Sequence, residues 1–162
     1  MIFIIALTLT MIAPHLGGLR VMRLKSEVRR LAGRISFVSD QASANKLVVR
    51  ITFDLDHNRY FVSQLDPYAA MPMFVPDGAP GAAPIALPRG IRLRDVTVAN
   101  VGTASRGTIS CNFYPEGFSD ATMVHIDDEW GDIFSLAVDP LTARVSIARG
   151  EYDLTTNRRA RW

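Results

Sequence analysis

The chain has 162 residues, enough for one ordinary domain or one small domain with an appendage, and too few for two independent cores. Its residues are 48% apolar and 21% charged, a balance that excludes disorder as a description of the whole. The formal net charge of +2 hides an uneven distribution, and the single cysteine, Cys111, excludes an internal disulfide and any cysteine-rich metal site.

The opening run, Met1 to Ala13, reads MIFIIALTLTMIA and carries no charge. A membrane span needs about 20 apolar residues to cross roughly 30 Å of hydrocarbon, so this run covers about two thirds of a bilayer and is too short to span alone. No clean small-x-small cleavage site follows it, which argues against a secretory signal and leaves a buried core helix as the plain alternative. After Pro14 and Gly17-Gly18 the pattern turns amphipathic. Leu24, Val28, Leu31, Ile35, Val38 and Ala42 follow a 4,3,4,3,4 spacing that lines one helix face. Between Arg20 and Arg34 stand six cations, Arg20, Arg23, Lys25, Arg29, Arg30 and Arg34, against the single acid Glu27. The spacing predicts one long helix to about Asn45, interrupted or kinked near Pro14 and the glycine pair.

From Leu47 the period becomes two. Leu47, Val49, Ile51, Phe53 and Leu55 alternate with Val48, Arg50, Thr52 and Asp54, the pattern of a strand with one buried face. Asp56-His57-Asn58 reads as a turn and Arg59 to Gln64 as the returning strand. Six of the nine prolines fall between Asp66 and Pro88, which predicts a long surface loop there. Strands resume at Ile91 to Ala99, Thr108 to Phe113, Thr122 to Ile126, Ile133 to Val138 and Arg144 to Ala148. The turn signals at Asp127 to Asp132 and Asp139 to Thr142 make a meander of the last three. The expected fold is α+β, a long N-terminal helix packed on an antiparallel β-sheet head of about seven strands.

In that order the chain resembles the type IV pilin superfamily, most closely the H-type minor pseudopilins of type II secretion (GspH-like) and the related FimT-like minor pilins. Four features carry the resemblance. An apolar run ends at Ala13-Pro14, and the helix continues as Leu24-Lys25-Ser26-Glu27-Val28-Arg29-Arg30-Leu31-Ala32. An opening strand ends in Phe53-Asp54. The segment Phe113-Tyr114-Pro115-Glu116-Gly117-Phe118-Ser119 matches an F-x-P-x-G-x-S element, and Asp139-Pro140-Leu141-Thr142-Ala143-Arg144-Val145 matches a closing hairpin in which relatives often place glycine at the position of Ala143. Family members begin with a basic leader and a G-F-T-L-x-E site that a prepilin peptidase cuts and N-methylates. That site is not among these residues, and the expectation is that Met1 is an internal methionine chosen as the start or that the gene is truncated.

The resemblance implies a structural filament subunit without catalytic activity, held as a single-pass protein in the bacterial inner membrane with its head in the periplasm. Its partners would be other pseudopilins or minor pilins, with the prepilin peptidase acting if the start lies upstream. The implied layout is an apolar membrane or filament-core half-helix over residues 1–18, an amphipathic half over 19–46, a β-rich periplasmic head over 47–156 and a basic tail over 157–162. Ile2, Phe3, Ile4, Ile5, Leu7, Leu9, Ile12 and Pro14 would form the filament core; Leu24, Val28, Leu31, Ile35 and Val38 would pack the helix on the sheet. Positive-inside bias runs against this topology, because six cations directly follow the apolar run; in the family the leader supplies the competing charges.

Two rival functions follow from other features. Arg158, Arg159 and Arg161 in the tail, with Trp162 to stack on a base, fit the DNA binding of a FimT-like pilin serving DNA uptake. A membrane-anchored binding module unrelated to filaments is the other. Asp54 to Asn58 imitates half a calcium loop, but Arg59 stands where glycine is needed and Leu65 where the closing acid belongs. The Asp127, Asp128, Glu129 and Asp132 cluster around Trp130 reads first as a solvated acidic turn, with a hard cation held by its carboxylate oxygens as the alternative. His15, His57 and His125 have no zinc spacing, and Ser110-Cys111 lacks a nucleophile elbow, so no catalytic residue, metal or cofactor is expected.

Overall fold

The computed structural model describes the backbone of residues 2–76 and 83–153, with side chains from residue 21 onward. The predicted filament-core side chains up to Pro14 and the tail arginines Arg158, Arg159 and Arg161 therefore lie outside the described side chains.

Helix α1 runs from Ile2 to Asn45. Of the interruption or kink predicted near Pro14, no interruption is found. A proline removes one backbone donor, and the i to i−4 bonds on either side carry the helix across it. Among the described residues no helix is long and apolar enough to cross a membrane. The helix stops where Lys46 adopts a left-handed φ of 59° and Leu47 donates its N–H back to the Ala42 carbonyl at 3.3 Å, a Schellman closure. Leu24, Val28, Leu31, Ile35, Val38 and Ala42 are each at most 2% exposed.

The strands form two antiparallel sheets of five, not one sheet of about seven. In the first, β1 (Val49–Asp54) lies between β2 (Arg59–Leu65) and β7 (Thr108–Phe113). The far edge of β2 is shared by two short strands from the proline-rich segment, β3 (Phe74–Pro76) and β4 (Ile85–Ala86). Pro76 is tolerated there because an outer edge needs no further donor. In the second sheet the order is β10 (Val145–Arg149), β9 (Ile133–Val138), β8 (Thr122–Asp128), β5 (Ile91–Val98) and β6 (Gly102–Ala104), so β8, β9 and β10 form the expected meander.

Helix α1 touches strands of both sheets, chiefly β1 and β10. One hydrophobic core results, with Leu31 and Ile35 from the helix, Ile51, Phe53 and Phe113 from the first sheet, and Ile126 and Leu136 from the second. The sheets are also sewn together by a polar residue. Asn58, at φ 50° in the β1–β2 turn, donates from its side chain to the Ile91 carbonyl at 2.7 Å and accepts from the Leu93 N–H at 2.8 Å. Left-handed geometry suits asparagine better than most side chains, so the turn residue doubles as the clamp.

Candidate assembly surface

The face of α1 opposite the core is rich in cations. Arg23, Lys25, Arg29 and Arg30 are exposed, while the intervening Leu24, Val28 and Leu31 are buried. Glu27 reaches Arg30 at 3.7 Å, an i,i+3 surface pair of small energetic weight. Further along, Gly33 has no atom within 4 Å of where a Cβ would stand, and Phe37 is 49% exposed beneath the Arg34 guanidinium, 5.3 Å from the ring centre. Ser36 donates to the Ala32 carbonyl at 3.1 Å.

At one end of the head, α1, the β4–β5 connection and the β8–β9 turn converge. A cleft of about 710 Å³ there is lined by Asn58, Arg89, Arg92, Asp127 and Glu129 among others. A smaller hollow of about 320 Å³ adjoins it, between Arg23, Ser26 and Glu27 of the helix, Arg89 and Gly90, and Asp128 and Trp130. Its floor is fixed by the Glu129 N–H, which donates to the Gly90 carbonyl at 3.2 Å. Gly90 has φ 85°, and a Cβ there would stand 3.4 Å from the Glu129 carboxylate.

The acidic cluster beside these hollows is not the solvated turn that the sequence implies. Asp127 and Asp128 belong to β8 and are each 5% exposed. Arg92 grips Asp127 with both arms of its guanidinium, at 2.6 and 2.9 Å, and this contact holds the guanidinium pKa above its ordinary value. Asp128 accepts the Trp130 and Asp132 N–H groups at 3.0 Å each, which closes the turn. Asp132 takes Arg149 at 2.6 Å. These three carboxylates serve the fold. Among the described residues no three His, Cys, Asp or Glu side chains are grouped to hold a metal ion.

The other ionisable groups singled out from the sequence also have structural partners. Asp54, only 5% exposed although its alternation predicts an outward position, is held below the ordinary carboxylate range by the hydrogen bond from His57, against the opposing effect of burial, with Arg59 assisting at 2.9 Å. His125 is buried on β8 between the Asp95 carboxylate, 2.7 Å from Nδ1, and the Tyr152 carbonyl, 2.9 Å from Nε2. Cys111 is buried, and its thiol is pushed up to about 12 by desolvation, which leaves it protonated and inert. His57, in the β1–β2 turn of the first sheet, does not meet His125 on β8 of the second, and the side chain of His15 is outside the described residues.

Sequence reasoning missed the hollow beside Trp130 and the role of Asn58. The hollow is assembled from segments around residues 23–27, 88–91 and 128–130, and no local pattern announces such a convergence.

No family model matches the chain, and no characterised protein sequence does. Among the solved structures that match are two of the minor pseudopilin EpsH from the type 2 secretion system of Vibrio cholerae, each over most of this chain's length. One has a TM-score of 0.59 at 13% identity and covers 80% of this chain and 99% of its own. The other has a TM-score of 0.58 at 14% identity, with 81% and 97% covered. At such identity the likeness lies in the fold: this chain has the GspH-like minor pseudopilin fold, a pilin-like α+β structure in which a long N-terminal helix packs on antiparallel sheets.

Proposed function

We propose that the chain is a minor pseudopilin, a structural subunit that joins other pseudopilins in a pilus-like filament of type II protein secretion and performs no catalysis. The observation that carries this reading is the match in fold to EpsH, which takes in nearly the whole EpsH chain. The outward face of α1 supports it, since Gly33 and the exposed Phe37 give a neighbouring helix a place of close approach. In this reading residues 1–18, with Ile2 to Ile12 and Pro14, anchor the subunit in the inner membrane and later sit in the filament core. Residues 19–46 pack through Leu24, Val28, Leu31, Ile35 and Val38, residues 47–156 are the periplasmic head and 157–162 a basic tail. A prepilin peptidase processes the subunit if translation starts upstream of Met1.

Deleting the gene in its host tests the function. The proposal predicts that secreted proteins accumulate in the periplasm and that the full-length gene restores export. Normal secretion with loss of DNA uptake would overturn it in favour of a FimT-like role, in which Arg158, Arg159 and Arg161 bind DNA. Normal secretion with DNA uptake intact would leave a binding module unrelated to filaments.

A further inference from the structure

The hollow beside Trp130 lies where α1 runs N-terminally from the head toward the apolar residues of its own sequence. Arg23 and Arg89 face it from two different segments, and both are exposed. Of the acids around it, the Asp128 carboxylate accepts two backbone N–H groups, Glu27 lies 3.7 Å from Arg30, and Glu129 stands exposed beside Gly90. Trp130 is 58% exposed at the rim, on a turn held rigid by Asp128. Lys25, Arg29 and Arg30 extend the positive charge along the helix.

We infer that this underside docks on a bilayer surface, with Arg23 and Arg89 taking the phosphates of anionic phospholipids and Trp130 settling at headgroup level. The inference rests on the membrane-anchored reading above. Helix rise places Arg23 about 15 Å beyond Ala13, so an anchored α1 brings this end of the head to the membrane, and long arginine side chains span the remaining gap. Tryptophan prefers the polar–apolar boundary because its indole is amphipathic, and arginine near a negative surface gains attraction that fades within a Debye length. A bilayer is favoured over an acidic protein because cations, aromatic ring and apolar run fall on one end of the molecule.

The test uses the full chain carrying Trp162→Phe, which leaves Trp130 as the only tryptophan, reconstituted in vesicles of neutral lipid or of neutral lipid with anionic phosphatidylglycerol. Flotation is measured first. Headgroup-labelled lipids should then quench Trp130 more strongly in the anionic vesicles, and high salt should abolish the difference. Replacing Arg23 or Arg89 by Gln should lower the docked population roughly fivefold each, with unchanged far-ultraviolet dichroism. Equal quenching in both vesicles by a chain that floats would overturn the lipid surface and leave the hollow to a protein partner. A chain that fails to float with either would overturn the anchored reading, and this inference with it.

Discussion

Asp54 closes β1 with its carboxylate between His57 and Arg59, and because its folded-state pKa is depressed its effect on stability has a definite sign. The contribution is complete above the ordinary aspartate value of 3.8 and is lost as the pH falls from there through the folded value. Urea titrations at stepped pH should show a stability loss below about pH 4 that Asp54→Asn flattens. Asn58 bridges the sheets with two short hydrogen bonds to backbone groups of the other sheet. Asn58→Ala strands both, and chemical denaturation should register a loss of about 1–3 kcal/mol. Ala143 is a different kind of residue. It is buried at φ 51°, with its N–H given to the Asp139 carbonyl at 2.8 Å, while Asp139 Oδ1 collects the Leu141 and Thr142 amides. A left-handed alanine costs about 1–2 kcal/mol, a cost that glycine escapes. Ala143→Gly relieves that strain but loses a buried methyl and loosens the unfolded chain, so its net effect should fall within about 1 kcal/mol of zero. Ala42→Gly in the buried helix face has no strain to relieve and should cost about 2 kcal/mol.

Among the elements, α1 bears most on the fold because its buried stripe joins two sheets that otherwise meet along a narrow seam. Leu31 is 2% exposed in that stripe, and Leu31→Ala should cost about 2–5 kcal/mol, read as a lowered denaturation midpoint with an unchanged slope. Gly33 is on the other side, in open space. Gly33→Ala should therefore stabilise the isolated protein by about 1 kcal/mol, measured the same way. The helix was legible in the sequence because its packing face recurs with the helical period over more than five turns. Strands β1, β2, β5, β7, β8, β9 and β10 were legible because alternation and turn residues frame each of them. Strands β3, β4 and β6 were not, since two or three residues carry no period and the first two sit among prolines. The division into two sheets was also hidden, because β1 takes its second partner from Thr108–Phe113 while the intervening β5 and β6 join the other sheet. Burial of Asp127 was hidden too, since the residue that permits it, Arg92, belongs to a strand 35 positions away.

At the scale of the whole molecule, the pilin-like architecture puts one face of α1 into the head and leaves a cationic face, an open glycine and an exposed phenylalanine for something else. Under the function proposed above, a filament supplies the helix that covers that face. The most direct test is disulfide trapping in cells that express the neighbouring pseudopilin genes, with Gly33→Cys in this chain and single cysteines along the helices of the partners. Cys111 adds no background, because it is buried and protonated. The account predicts an oxidation-dependent adduct between Gly33→Cys and a helix position of another pseudopilin, absent when the cysteine is moved to the inward-facing Val28 position. A folded, well-expressed Gly33→Cys chain that gives no adduct with any pseudopilin helix, there or from Phe37→Cys, would contradict it.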